Sequence, residues 1–264
     1  MMNYEEMCKK VVEIAQRAGN FISSQRVIAS DIEEKSKNSL VTFVDKQTEK
    51  IIVDALSNLL PEAGFITEEG TSDKKGKKFS WIIDPLDGTT NFIHGVPCYA
   101  VSIALTENED IVLGVVYEIN LKECFYAWKN SKAYLNGKEI AVSNTSQLKN
   151  ALIATGFPYY NFSKLNEYLD LFRNLLQETR GIRRPGAASV DLAYVACGRF
   201  DGFYEITLHP WDVAAGAFII QQAGGFVSDF SGNNNWLYGE EIVVGNKTIH
   251  QELLDKIKNH FLSI

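Results

Sequence analysis

The segment WIIDPLDGTTNFIHGVP, residues 81–97, runs three apolar side chains into two aspartates, Asp84 and Asp87, set three positions apart around a proline. Carboxylates brought that close either raise one pKa or recruit a cation. Gly88 lets the backbone turn tightly, and Thr89, Thr90 and Asn91 are good helix starters. The open N–H groups of a helix start attract anions, phosphate above all. Carboxylates for a divalent cation beside amides for a phosphate describe a metal-dependent phosphoryl-transfer site. An ordinary Asp-Gly turn, with Asp84 capping a helix, fits the same letters, and these residues alone leave both readings open.

Other acidic residues fall at comparable places. FITEEG sets Glu68 and Glu69 after a short apolar strand, LHPWDVAAG sets Asp212 in the first turn of an apolar helix, and LVTFVDKQTEK sets Thr42 and Asp45 before another. Thr42, Asp45 and Asp212 also read as capping residues. All lie at strand-to-helix transitions, where a layered fold could gather them.

The elements that must do the gathering are legible from hydrophobic period. Met7, Val11, Ile14, Ala15, Ala18 and Ile22 repeat at helical spacing, and Ile51, Ile52, Ala55, Leu56 and Leu59 repeat it in a second helix closed by Pro61 and Gly64. The period then changes to short strands: GFIT, FSWII, YAVSIALT, IVLGVVYE and ECFYAW, with an Asn-Gly hairpin in LNGKEIAV. They follow one another closely enough to be antiparallel. From about residue 150 strands alternate with helices, one through Leu165, Leu169, Phe172 and Leu176 and the last through Leu254, Ile257 and Phe261, which predicts an α/β layer with crossovers. TSDKKGKKF reads as a mobile surface loop.

These segments together carry a resemblance. WIIDPLDGTTNFIHGVP and HPWDVAAGAFIIQQAGG resemble the two signatures of the inositol monophosphatase family, and LVTFVD, FITEEG and RRPGAASVDLAYVACGRFDGFYE are similar to its other motifs, in the family's order from about residue 35 to the VVGN near 245. The resemblance implies an α+β, α/β chain folded as a layered αβαβα sandwich of the sugar-phosphatase type. It implies an N-terminal α+β half, residues 1–146, carrying most metal ligands, and a C-terminal α/β half, residues 147–264, carrying Asp212 and substrate contacts, as one unit with the site between them. Glu68, Asp84 and the Leu86 carbonyl would hold a first Mg²⁺; Asp84, Asp87 and Asp212 a second; Glu69 a weaker third through water. Asp45 and Thr89, with Glu68, are the implied catalytic residues, the first two orienting the attacking water. The Gly88 and Thr89 amides would bind the phosphate, and Asp87, Gly186, Ala188, Glu205 and Asp212 the alcohol. Lys35 falls in the loop that approaches the metals in relatives.

The implied activity is Mg²⁺-dependent hydrolysis of inositol 1-phosphate or similar small polyol and sugar phosphates by in-line displacement. Glu205 tilts the choice toward inositol over fructose 1,6-bisphosphate, a 3'-phosphonucleotide, NADP or histidinol phosphate. A regulatory partner of RNA or the transcription machinery is a function of another class. The resemblance also brings a homodimer and lithium sensitivity.

Composition bounds these readings. In 264 residues, 45% hydrophobic and 22% charged with a formal charge of -7, nucleic-acid binding through phosphate contacts is disfavoured. No apolar run is long enough to cross a bilayer, and MMNYEEMCKK lacks a signal pattern, so a cytoplasmic protein is expected. Cys8, Cys98, Cys124 and Cys197 have no metal or redox spacing. His94 and His209 read as loop and helix-entry residues, His250 and His260 as solvated, and Arg183 and Arg184 as surface residues near the expected pocket.

Overall fold

The computed structural model describes residues 2–26, 42–158 and 161–261, and the backbone of 32–36 and 39–41. Helix α1 (Tyr4–Ser24) is capped by Asn3, whose side chain accepts from the Glu6 N–H, and buries Met7, Val11, Ala15, Ala18 and Ile22. A hairpin of β1 (Ile32–Ser36) and β2 (Ser39–Thr42) feeds α2 (Phe43–Leu59). Next come β3 (Gly64–Thr67), β4 (Phe79–Asp87), the short α3 (Thr89–His94), β5 (Ala100–Glu107), β6 (Asp110–Glu118), β7 (Glu123–Trp128), β8 (Ala133–Leu135) and β9 (Lys138–Ile140). The remainder alternates: β10 (Leu152–Thr155), α4 (Leu165–Glu178), β11 (Gly181–Arg183), α5 (Ala188–Ala196), β12 (Gly202–Ile206), α6 (Pro210–Gln222), β13 (Phe226–Ser228), β14 (Glu241–Gly245) and α7 (Lys247–Phe261).

Strands β3 to β9 form a seven-stranded sheet in chain order, β10 to β14 form a five-stranded sheet ordered β11-β10-β12-β14-β13, and β1 and β2 pair only with each other. Three apolar cores separate five layers. Helices α1 and α2 cover the outer face of the larger sheet around Trp81, Ile83 and Leu105. Helices α5 and α6 lie between the sheets, touching Ile82 and Ala104 on one side and Phe203 and Val244 on the other. Helices α4 and α7 close the far face of the smaller sheet around Leu171, Tyr204 and Leu253. Helix α6 is buried continuously from Val213 to Ile220, as a helix walled by two sheets requires. This is the expected αβαβα sandwich. No helix among the described residues is long and apolar enough to cross a membrane.

Several local expectations are corrected. The pair β3–β4 is parallel, not antiparallel, because residues 68–78 run back beside β3 before β4 begins, with the Phe65 N–H donating to the Lys74 carbonyl at 2.9 Å. That contact ties down the TSDKKGKKF segment. The smaller sheet is mixed: β10 is parallel to β11 and β12, and β14 antiparallel to β12 and β13. Helix α2 buries Val44, Thr48, Ile52, Val53 and Leu56, leaving Ile51, Ala55 and Leu59 half-buried. Helix α4 likewise buries Tyr168, Leu171 and Leu175, so Leu169 and Leu176 face outward at 45% and 52% exposure. In both helices neighbouring stripes share the same spacing, and period alone cannot choose between them. His250 is buried, not solvated, with Nε2 2.9 Å from the Ser228 hydroxyl.

Candidate active site

Strand β4 carries its apolar residues directly into the aspartates, and its pairing with β5 slips between Asp84 and Asp87. Pro85, which has no N–H to give a ladder, sits in the slip. Asp84 and Asp87 thus belong to an irregular strand end. Gly88 follows at φ +92°, and a Cβ there would fall 2.9 Å from the Cys98 carbonyl oxygen, so glycine is required on both counts.

Asp84 is 2% exposed, with Oδ1 accepting from the Leu86 N–H at 2.9 Å. Burial pushes its pKa well above the carboxylate range, and the charges of Glu68, Asp87 and Asp212 push it further. Asp212 rises for the same reason, burial first and then Asp87, with the His209 N–H opposing. That N–H donates to Asp212 Oδ2 at 2.6 Å across the first turn of α6. Asp87 is raised by burial too, against the pull of α5: its Oδ2 accepts from the Ser189 N–H at 2.7 Å and the Ser189 hydroxyl at 2.5 Å. Four acids from β4, α6 and the end of β3 therefore converge. As they stand, no group of three or more His, Cys, Asp or Glu side chains among the described residues is spaced to hold a metal ion. Glu68 instead hydrogen-bonds Asp84, the way two carboxyl groups share one proton. Hard oxygen donors crowded in this fashion fit a divalent cation such as Mg²⁺, whose charge would relieve the repulsion.

Beside them stands a second constellation. Asp45 is fully buried in the first turn of α2, where Oδ2 accepts from the Thr42 N–H at 2.8 Å and the Thr42 hydroxyl at 2.6 Å. Its Oδ1 lies 2.9 Å from the Thr89 hydroxyl, which is also 3.0 Å from the Leu86 carbonyl oxygen. That hydroxyl has one proton and can donate to only one of the two at a time. Burial raises the Asp45 pKa while the bonds from Thr42 and Thr89 lower it.

The opposite wall comes from the smaller sheet. Glu205 on β12 is buried, and a Cβ on Gly156 would overlap its carboxyl at 1.8 Å, so Gly156 supplies the room it occupies. Burial lifts Glu205 to about 8, against the opposing charge of Arg184. The Arg184 guanidinium lies 5.3 Å over the Phe157 ring, a place in the wall of the site. Gly186 has φ +102° and abuts Asn91, whose side-chain amide donates to the Cys98 carbonyl at 2.7 Å and the Pro185 carbonyl at 3.0 Å. Ala188 opens α5, its amide directed at Asp87. The Lys35 side chain lies outside the described residues.

Sequence reasoning missed Glu49 and Ser189 and took Asn91 only as a helix starter. Glu49 is fully buried on α2 and accepts from the Glu69 N–H at 2.7 Å and from the Thr71 N–H and hydroxyl at 2.8 Å each. Its position one helical turn after Asp45, on the same face, was the available signal.

The family model described as "Inositol monophosphatase family" matches residues 3–261. The Nus factor SuhB of Pseudomonas aeruginosa is 43% identical, covering 97% of each chain. An inositol-1-monophosphatase of Mesorhizobium japonicum is 39% identical over 94% of each. The crystal structure of extragenic suppressor protein SuhB from Bartonella henselae superposes with a TM-score of 0.91 at 39% identity, covering 96% of this chain and 98% of that one.

Proposed function

The chain belongs to the inositol monophosphatase family, in general metal-dependent phosphatases, and on that premise we propose that it hydrolyses inositol 1-phosphate or a closely similar small polyol phosphate with Mg²⁺. The observation that carries this reading is the crowding of Glu68, Asp84, Asp87 and Asp212 next to the Thr89–Asp45 pair. Glu68, Asp84 and the Leu86 carbonyl would hold one ion, Asp84, Asp87 and Asp212 another, and Glu69 the periphery of a third. Bound there, Mg²⁺ supplies a water acidic enough to attack and charge to offset the phosphate. Thr89, donating to Asp45, presents its lone pairs to a water proton and aims that water in line with the phosphorus. The raised basicity of buried Asp45 suits it to take the proton passed through Thr89. Amides of Gly88 and Thr89 bind the phosphoryl oxygens.

The alcohol lies toward Asp87, Gly186, Ala188, Glu205 and Asp212. With a pKa near 8, Glu205 can donate as well as accept a hydrogen bond, which suits a ring hydroxyl better than a second phosphate. That favours inositol over fructose 1,6-bisphosphate. We assign most metal ligands to a half spanning 1–146, and Asp212 with the Gly186, Ala188 and Glu205 substrate contacts to a half spanning 147–264, the site lying between them. The outward Leu169 and Leu176 of α4 suit a homodimer, and four free cysteines suit a cytoplasmic setting. Lithium inhibition is carried over from the family resemblance alone.

The test is a panel of phosphate esters ranked by kcat/KM, with Asp84→Asn alongside. Inositol 1-phosphate should lead, a chelator should abolish turnover, and Asp84→Asn should remove it with the fold intact. Full activity in either condition refutes the site. The Nus factor name of the Pseudomonas relative favours a second reading, a partner of the transcription machinery. Retention of transcription proteins by immobilised Asp84→Asn protein would support it, since docking need not share the catalytic groups.

A further inference from the structure

Strand β3 loses its ladder just where it delivers Glu68. Its pairing with β4 ends at Thr67 opposite Ile83, and beyond it the Glu68 N–H reaches the Ile83 carbonyl at a long 3.3 Å. The segment that follows is held from the other side, by Glu49. One oxygen of this fully buried carboxylate takes the Glu69 N–H, and the other takes both the N–H and the hydroxyl of Thr71. A buried carboxylate is expensive unless hydrogen bonds replace its water, and all three replacements come from the three residues after Glu68. The same helix face, four residues earlier, carries Asp45 and through it Thr89. One turn of α2, roughly 5.4 Å, thus separates the anchor of the water-orienting pair from the anchor of the Glu68 segment.

We propose that Glu49 is a positioning residue that clamps residues 68–71 against α2 and thereby sets how tightly Glu68 and its neighbours hold the first divalent cation. The inference rests on Glu68 and Asp84 being metal ligands, as proposed above. Groups that orient metal ligands from behind typically change metal affinity by about 10- to 100-fold when altered. Glu49→Gln keeps the shape but turns an amide N–H₂ toward backbone donors, so it breaks the clamp on at least one side.

Mn²⁺ is the probe, its free concentration read by electron paramagnetic resonance during titration of the whole protein, with hydrolysis measured in parallel against Mg²⁺. Wild-type protein should show at least one tight site, and Glu49→Gln should weaken it by about tenfold or more. At saturating Mg²⁺ its kcat should stay within about threefold of wild type and KM should not move, since Glu49 touches neither substrate nor water. Thr71→Val removes one of the three bonds from the surface side and should weaken Mn²⁺ by about two- to threefold; it decides the matter should Glu49→Gln not fold. Unchanged Mn²⁺ affinity in the folded variants overturns the proposal, as does a kcat lost at saturating metal with affinity intact. Wild-type protein that takes up no Mn²⁺ would overturn the metal site itself, a distinct result.

Discussion

Glu205 makes the metal-free protein sensitive to alkali in a way that can be worked out. Its carboxyl is raised from 4.5 to about 8, chiefly by burial. The folded state therefore keeps a proton that the unfolded chain gives up, and between those two values it binds more protons than the unfolded state. Stability must fall as pH rises through that window, being fully present below about 4.5. At 1.36 kcal/mol per pH unit the rise from 4.5 to about 8 bounds the Glu205 contribution at about 5 kcal/mol. Relaxation and water entry bring the working figure nearer 2–3 kcal/mol, on the order of a quarter of a typical folding free energy. Denaturant unfolding of chelator-treated protein at pH 5.5, 7 and 8.5 should show this loss, and Glu205→Gln, which has nothing to titrate, should flatten the slope by about that amount. Parallel slopes in the two proteins would refute the assignment of a neutral buried acid at residue 205.

Other perturbations separate roles within the site. Thr89→Ala should cut turnover by about 10²-fold or more while Mn²⁺ affinity changes little, because the hydroxyl orients water instead of binding metal; equal loss of both would make Thr89 structural. Gly88→Ala should destabilise by about 1–3 kcal/mol, from the positive φ and the approach to the Cys98 carbonyl, and should lower kcat as well, read by thermal melting and initial rates. Asn91→Ala frees two carbonyls from their donor and should lose about 1–3 kcal/mol, with KM for the phosphate ester rising as the Gly186 turn loosens.

Hydrophobic period made the helices, the run of strands and the later strand–helix alternation readable, while the layered sandwich and the choice between turn and site for the motif aspartates came from the family resemblance. Three kinds of feature were readable from neither. The faces of α2 and α4 were misphased, since two adjacent apolar stripes satisfy one helical period and only the sheet beneath decides which is buried. The parallel run of β3 beside β4 depends on the path of residues 68–78, whose polar letters describe a loop wherever it goes. Glu49 and Asn91 act on backbone partners and Ser189 partly through its own N–H, and a backbone N–H or carbonyl leaves no letter in a sequence.

Capping and site chemistry entered as rival readings of these aspartates, and the geometry leaves the two compatible. Asp45 closes a capping box at the start of α2 while reaching Thr89 with its other oxygen. Asp212 accepts from the His209 N–H at the start of α6. Asp87 does the same for α5 from a different strand, through Ser189. Helices α5 and α6 thus aim their N-termini, where unpaired N–H groups and the helix dipole favour negative charge, at the four-acid cluster, and α2 aims its own at Asp45 beside it. Each such end contributes about 0.3–1 kcal/mol, or up to about 2 where partly buried, against a repulsion that would otherwise scatter the carboxylates. That is enough to hold the acids near one another and too little to neutralise them, as the raised pKa values of Asp84 and Asp212 record. In the proposed reading, a divalent cation would take up the remaining imbalance. Asp45 shows the division of labour directly, with one oxygen committed to the start of α2 through Thr42 and the other reaching Thr89.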